Sequence, residues 1–539
     1  MAQASISGLN SGLDTNDILT KLVALQRRPI DLVQAKRDAE NQKLAAFQEL
    51  KSRLQTFKSV VSTLNTQNRF LSTQGIFSNN SSTDNNQVLS LTTTSQAASG
   101  TFSLTVNKIA RESKLISAGF SSTTASVEQG TLEITVGNTT TKIAINSANN
   151  TLDGVRLAIN NSGADVTASF LNDGSSTNPV RLLVSGTKTG KDNSVSLAIK
   201  KGFLGGGTQE LVSFTETQAA QDASLVVDGV SVTKSTNTIT DVINGTTLNL
   251  QSAGSGTITL SSDLDAIKEK ITSFVDGYNE LTLFLNDQQF LNPDSLNTGL
   301  LFGNFTVQNL QQTIRNTVSA QVGGVSGTFN FLSQVGIRTQ DDGTLKINDT
   351  DLTSALNTSV GNVSQLFSSL GTTTDNSVTF VGFTKETVAG TYDLRVSGGV
   401  PQLSPTGKNQ FTNAVGSGNF FSGAPGTDAE GLNFRIANLG NGSYGTITLS
   451  VGVAETINRV LANLVDTSLN GPLSAEIDTA TESIKDFDET IASLEERVTV
   501  FEASLRQRFT NLEITIGKLN SQKEAFTNSL TGLQNLFKK

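Results

Sequence analysis

Ile484-Lys485-Asp486-Phe487-Asp488-Glu489-Thr490-Ile491-Ala492-Ser493-Leu494-Glu495-Glu496-Arg497-Val498-Thr499-Val500-Phe501-Glu502-Ala503-Ser504-Leu505 sets apolar residues at Ile484, Phe487, Ile491, Leu494, Val498, Phe501 and Leu505. Steps that alternate three and four form the seam of a coiled coil. One added step of four leads to Phe509, a stutter that loosens a supercoil without ending the helix. The rhythm resumes through Leu512, Ile516, Leu519, Phe526, Leu530 and Leu533. Toward the other end, Phe47, Leu50, Leu54, Phe57, Val61 and Leu64 keep the same alternation. Before them Asp14, Thr15, Asn16 and Asp17 offer caps to a stripe of Ile18, Leu22 and Leu25, and Pro29 predicts a kink or break. Such stripes need a cover, and the nearest candidates are the other terminus or another subunit. Burying a seam side chain contributes about 2 kcal/mol, while ordering each residue between costs about 1.5 kcal/mol. Without a partner the chain's extremities are therefore expected to be mobile.

At 539 residues the chain is too long for one core, and three to five domains are expected. Charged residues make up only 16%, and the formal net charge is −9. An acidic chain whose basic residues gather in nothing longer than pairs, such as Arg27-Arg28 and Lys200-Lys201, is not built for nucleic acid or an anionic membrane. Cys, His and Trp are absent. Disulfides, thiolate nucleophiles, imidazole bases and His-ligated metals are thereby excluded, which leaves carboxylate chemistry alone. No run approaches the length of a membrane helix, and the start, Met-Ala-Gln-Ala-Ser-Ile-Ser, lacks the basic and apolar regions of a secretory signal.

Between the helical ends the period changes to two. A polar stretch, Asn79 to Asn86, reads as a surface connection, and strands follow from Val88 to about Ser261. A strand opening recurs at Gly100-Thr101, Gly130-Thr131, Gly256-Thr257, Gly390-Thr391 and Gly445-Thr446, at irregular spacing. Asp228-Gly229 between two Val-rich runs signals a two-residue hairpin, and Gly205-Gly206-Gly207 a flexible joint. Helix returns over Leu264 to Leu285 and Val307 to Val318; Pro401, Pro405 and Pro425 punctuate a later β-rich insertion. The expected fold is α+β and multidomain, with a helical coiled-coil stem built from both termini and the middle and antiparallel β-rich domains inserted into it. In order, the parts are a leg helix at 1–45, stem at 46–78, inner β-domain at 79–113 and an outer variable β-domain at 114–217. The second half of the inner domain (218–262), stem (263–371), β-rich insertion (372–453), stem (454–505) and a second leg helix (506–539) complete the chain.

Three stretches invite a chemical reading and are better read plainly. Lys188-Thr189-Gly190-Lys191 lacks the first glycine and the hydroxyl of a phosphate loop and is a turn. Asp341-Asp342-Gly343 lacks the alternating ligands of a calcium loop and is a hairpin turn. Asp486, Asp488 and Glu489 lie on a polar helix face, whereas a general acid needs a desolvated pocket. No catalytic, cofactor or metal residue is expected.

The run Ile6-Ser7-Gly8-Leu9-Asn10-Ser11-Gly12-Leu13-Asp14-Thr15, with Arg28-Pro29 after it, resembles the N-terminal signature of the flagellar filament cap family, the flagellar hook-associated protein 2 family. Ala223 to Gly229, Phe274-Val275-Asp276-Gly277-Tyr278-Asn279, Asp342-Gly343-Thr344-Leu345 and Arg508 to Gln522 continue the resemblance in order. It implies a non-enzymatic, cofactor-free protein, exported unfolded through the flagellar channel to the outside. Several copies would form a ring or plate at the distal tip, holding back flagellin while it folds and inserts. Ile18, Leu22, Leu25, Leu512, Ile516, Leu519, Phe526 and Leu530 would then be partner-binding leg residues. Phe47, Leu50, Leu54, Phe57 and the seam from Ile484 to Leu505 would form the stem. Implied partners are further copies, flagellin, hook–filament junction proteins and an export chaperone, with no nucleic acid or membrane; the Ser/Thr/Asn-rich outer sheets add host surface glycans as a further candidate. A surface adhesin, or another axial flagellar component such as a filament or junction protein, is the alternative.

Overall fold

Residues 11–80, 87–200, 213–325, 327–465 and 471–536 are described in a computed structural model. Part of the N-terminal signature (Ile6 to Asn10), most of the polar connection (Ser81 to Asn86) and the Gly205-Gly206-Gly207 joint lie outside the described residues. The chain divides into two units, one of Met1–Thr66, Lys270–Ala355 and Gly361–Lys539, the other of Gln67–Glu269 and Leu356–Val360.

The first unit is organised by two long helices, Thr15–Val61 and Pro472–Leu536. The Asp14 carboxylate accepts from the Asp17 N–H and caps the first of them. Of the kink or break expected at Pro29, the break does not form. The proline sits on the solvent side, where water can meet the carbonyl left without a donor, while its neighbour Ile30 is fully buried. Nor does a break separate leg from stem, since one helix runs through residue 45 and another through residue 505.

Phe47, Leu50, Leu54 and Phe57 are buried. Phe57 lies 5.7 Å from the Phe274 ring, on the helix Leu264–Gln289, and Phe274 meets Phe367 edge-on at 5.7 Å. Gly277 makes room for this contact, because a Cβ there would stand 3.0 Å from the Phe57 ring. The next two residues strap down the hairpin of Ile337–Thr339 and Leu345–Ile347. Tyr278 Oη donates to the Gly343 carbonyl at 3.0 Å. The Asn279 amide donates to Leu345 O at 2.8 Å and accepts from Leu345 N at 2.6 Å. Burial raises the Tyr278 phenol above its ordinary pKa.

The insertion begins slightly earlier than expected, at strand Ser369–Thr373, and closes with Gly442–Val451. A five-stranded and a four-stranded antiparallel sheet pack around Tyr392, Leu394, Phe421, Phe434, Ile447 and Leu449. Pro401 and Pro405, expected as punctuation, both lie in the strand Val400–Pro405. The neighbouring strand on that side is only Thr412–Asn413, paired to Gln402 and Leu403, so neither proline has to donate to it. A buried carboxylate anchors the domain's root: Glu455 accepts from Asn65 Nδ2 and Arg459 Nε, both at 3.0 Å, while Asn65 O accepts from the Ser369 N–H.

The second unit holds two β-domains. In the inner one a five-stranded antiparallel sheet and a three-stranded sheet enclose Leu89, Leu104, Val106, Leu225, Leu248, Ile258 and Leu260. The Asp228-Gly229 hairpin forms with φ of 46° and 82°, the left-handed pair that a two-residue turn requires. Asp228 Oδ1 also accepts from Ser103 N at 2.7 Å and Ser103 Oγ at 3.0 Å, tying the turn to the next strand. In the outer domain, a four-stranded and a three-stranded sheet share a core with the helix Leu152–Asn160. That helix is absent from the two-residue pattern expected there. Thr151 caps it by accepting from Gly154 N, and Leu152, Val155 and Ile159 form its buried stripe.

Four of the five recurrent Gly-Thr openings lie on strands that pair with one another. Gly100–Lys108 pairs with Gly254–Ser262, and Gly390–Ser397 pairs with Gly442–Val451. In the latter pair Thr391 and Thr448 stand opposite with hydroxyls 3.0 Å apart.

Asn279→Ala leaves two backbone groups of Leu345 unpaired, a loss of about 1–3 kcal/mol. Amide exchange at Leu345 is expected to quicken by one to two orders of magnitude, with the inserted β-domains unaffected. Burial pushes the Tyr392 phenol up to about 12 from an ordinary 10.0. The folded state thus favours the neutral phenol, and that stability is full below pH 10 and is lost as pH rises toward 12. Melting of the insertion followed from pH 9 to 12 should show this loss, and Tyr392→Phe should flatten it.

Candidate assembly surface

Two facing seams hold the terminal helices together. Ile30 is 1% exposed and packs with Ile491 and Val498, flanked by Val23, Val33 and Leu494. Arg27 Nη2 lies 3.8 Å from Glu495, and Arg37 Nη1 lies 3.4 Å from Asp488. Further out, Ser11 Oγ donates to the buried carboxylate of Glu513. As the first number of each pair rises the second falls, so the helices are antiparallel. Asp38, then Asp488, raise the pKa of the Arg37 guanidinium, and Asp17, 2.8 Å from Lys21 Nζ, raises that of its ammonium. These exposed pairs orient the helices more than they stabilise them.

This register separates the expected stem residues into two sites. Phe487, Ile491, Leu494, Val498, Phe501 and Leu505, with half-buried Ile484, run along the outer part of the N-terminal helix. Phe47 to Phe57 lie further along, where Phe57 packs on the middle helix. The two seams are therefore not partners of one another. The N-terminal residues that do face Ile491 and Val498 fall at Val23, Ile30 and Val33, a stripe missed in the sequence because Pro29 hides its continuity.

The expected leg residues lie mostly in solvent. Ile18, Leu22 and Leu25 are exposed, and the first two come one residue before buried Leu19 and half-buried Val23, about 100° around the helix. Leu32, missed in the sequence, extends them at 67% exposure. On the C-terminal helix Leu512, Leu519, Phe526 and Leu530 are exposed and Ile516 is half-buried. The leg pair thus has one face closed within the chain and another apolar face open.

The stretches read plainly keep that reading. Gly190, with φ of 103°, donates its N–H to Arg111 O, and Lys191 N donates to Asp222 Oδ1, so these donors are spent within the protein. Asp342 Oδ1 accepts from Thr344 Oγ1 and Thr344 N, hydrogen bonds that hold its carboxyl below the usual pKa.

The profile described as Flagellar hook-associated protein 2 N-terminus matches residues 11–113, and that of the C-terminus matches residues 220–521. The B-type flagellar hook-associated protein 2 of Pseudomonas aeruginosa is 28% identical over 67% of this chain and 81% of its own length. The flagellar hook-associated protein 2 of Escherichia coli K12 is 30% identical over 68% of this chain and 80% of its own. The crystal structure of the D1-D2-D3 domains of the Escherichia coli flagellar cap protein superposes with a TM-score of 0.53 at 24% identity. It covers 81% of this chain and 99% of that one.

Removing buried methyls from the closed face should weaken the leg pair. Ile30→Ala is expected to cost about 2–5 kcal/mol, and Leu25→Ala on the open face less than about 0.5 kcal/mol. Helical ellipticity followed through thermal melting separates the two.

Proposed function

Because the chain belongs to the flagellar hook-associated protein 2 family, we propose that it caps the distal tip of the bacterial flagellar filament. In that position it retains exported flagellin and promotes its folding and insertion as the filament grows. The observation that carries this reading is the family match at both ends of the chain, residues 11–113 and 220–521, together with the antiparallel pair that those ends build. A cap needs a part that stays intact and a part that grips a changing lattice. The β-domains, each with its own closed core, suit the first task. The open stripes of Ile18, Leu22, Leu25, Leu519, Phe526 and Leu530 suit the second, as they can bury against helices of successive neighbours without unpacking Ile30.

The role is structural and non-catalytic, with further copies and flagellin as the primary partners. Hook–filament junction proteins and an export chaperone are secondary partners that rest on the resemblance alone, and host surface glycans belong to the adhesin reading, which rests on the Ser/Thr/Asn-rich outer sheets. The adhesin and filament-subunit readings are less favoured, since neither accounts for the family match at both ends.

Deleting residues before Arg28, or after Arg508, should abolish filament growth while the β-domains stay folded. Electron microscopy of flagella from cells carrying each truncated protein checks this. Filaments of normal length would refute the leg assignment.

A further inference from the structure

The N-terminal helix carries a second seam, and the folded chain fills only half of it. The helix Leu264–Gln289 covers Phe57, whose ring lies 5.7 Å from that of Phe274, and Arg53, whose guanidinium lies 4.9 Å from the Phe284 ring. Counted from these two toward the N-terminus, alternating steps of three and four pass Leu50, Ala46, Lys43, Ala39 and Lys36. The same count meets Leu32, Pro29, Leu25, Leu22 and Ile18 without a missed step. The seam toward the C-terminal helix, through Val23, Ile30 and Val33, is a different one. Leu50 and Ala46 are buried, whereas every member from Lys43 outward is exposed. Burial stops where the cover stops, because the antiparallel run of Leu264–Gln289 brings its end level with about residue 46.

The loop that follows, residues 290–304, forms a shoulder at that level. Just after it, Thr306 Oγ1 donates to Glu476 Oε1 at 2.9 Å, and within it buried Leu301 donates its N–H to Gln288 O at 3.2 Å. Around these anchors Phe290, Leu291, Leu296, Leu300, Phe302 and Phe305 are exposed. Leu296 has a φ of 56° and is 77% exposed. A bulky residue in that left-handed region costs about 1–2 kcal/mol, and this side chain repays none of it within its own protein. Open seam and shoulder together show on the order of 1,000 Å² of apolar surface, the scale of a specific interface. Charge divides between them. From Ile271 to Ile314 the chain has four acids and no Lys or Arg, and Asp287 and Asp294 lie exposed at the shoulder. Lys21, Arg28 and Lys36 lie on or beside the open seam.

We propose that one amphipathic helix of flagellin continues the line of Leu264–Gln289 along the leg and ends against the shoulder loop. The open seam from Ile18 to Lys43 takes about 38 Å of it, or roughly 25 residues. Its N-terminus sits at the shoulder, because the positive end of a helix favours Asp287 and Asp294. Acidic residues flank its apolar stripe and meet Lys21, Arg28 and Lys36. A second copy of this chain is the wrong occupant, since its own open seam brings the same three cations. The inference rests on the capping role for the partner's identity, and it adds the partner's direction, its charge and the loop that stops it.

A photoreactive benzophenone amino acid, placed at single positions of the full chain in cells growing filaments, tests this. At Leu25, Leu32 and Leu296 it should cross-link to flagellin. At Ala24 and Asp31, exposed but turned away from both seams, the yield should be lower by about fivefold. Mass spectrometry should order the flagellin residues reached from Leu296, Leu32 and Leu25 from N- to C-terminal within one segment. Leu296→Gly, which relieves the backbone strain, should lower the Leu32 yield about threefold with no loss of thermal stability. No flagellin product, products with a second copy alone, equal yields at Ala24 and Leu25, the reverse order, or an unchanged yield in Leu296→Gly would overturn the inference. Normal filament growth alongside any of these leaves capping standing. If the natural chain fails to restore filaments to cells lacking it, the capping role falls and the inference with it.

Discussion

Everything about this molecule's ends depends on Ile30 lying between Ile491 and Val498. That contact joins residues more than four hundred positions apart, and it makes the chain's extremities one structural element. Once it forms, the two helices share a register, the charged pairs Arg27–Glu495 and Arg37–Asp488 fall into place, and the remaining apolar stripes are turned outward. A helix with apolar residues at both n and n+1 of a heptad pattern cannot bury both against one neighbour. The closed face therefore creates the open one.

The same economy runs through the stem. Phe57, Phe274 and Phe367 form a chain of ring contacts that the small residue Gly277 permits, and the two residues after it, Tyr278 and Asn279, hold the 337–347 hairpin by its backbone. One short motif thus packs on one side and hydrogen-bonds on the other. The β-domains are built differently, each around a closed two-sheet core of its own. Loss of a leg contact need not reach them.

How much of this could be read in the sequence follows from the range of each interaction. The heptads of the C-terminal helix and the Asp228-Gly229 hairpin were legible because period and turn chemistry are local properties. The open stripe at Ile18, Leu22 and Leu25 was legible for the same reason. The continuity of the N-terminal helix through Pro29 was not, because it depends on Ile30 being held by a segment distant in the chain. Helix Leu152–Asn160 escaped notice because about two and a half turns amid strands give little periodicity, although Thr151 offered a cap. That Pro401 and Pro405 lie inside a strand was not legible, because their place beside a two-residue strand is a matter of sheet order. That the Phe47–Phe57 seam and the Ile484–Leu505 seam serve different neighbours could come only from the register.

The pairing of the two termini within one chain is open to direct measurement. Spin labels on cysteines introduced at Ala39 and Lys485, both exposed and level with one another in the antiparallel register, report it in the dilute full-length protein. A narrow distribution at short range, set by helix axes about 10 Å apart, is the expected result. A broad distribution extending to long distances would contradict the account, because the ends would then be separate until a partner joined them.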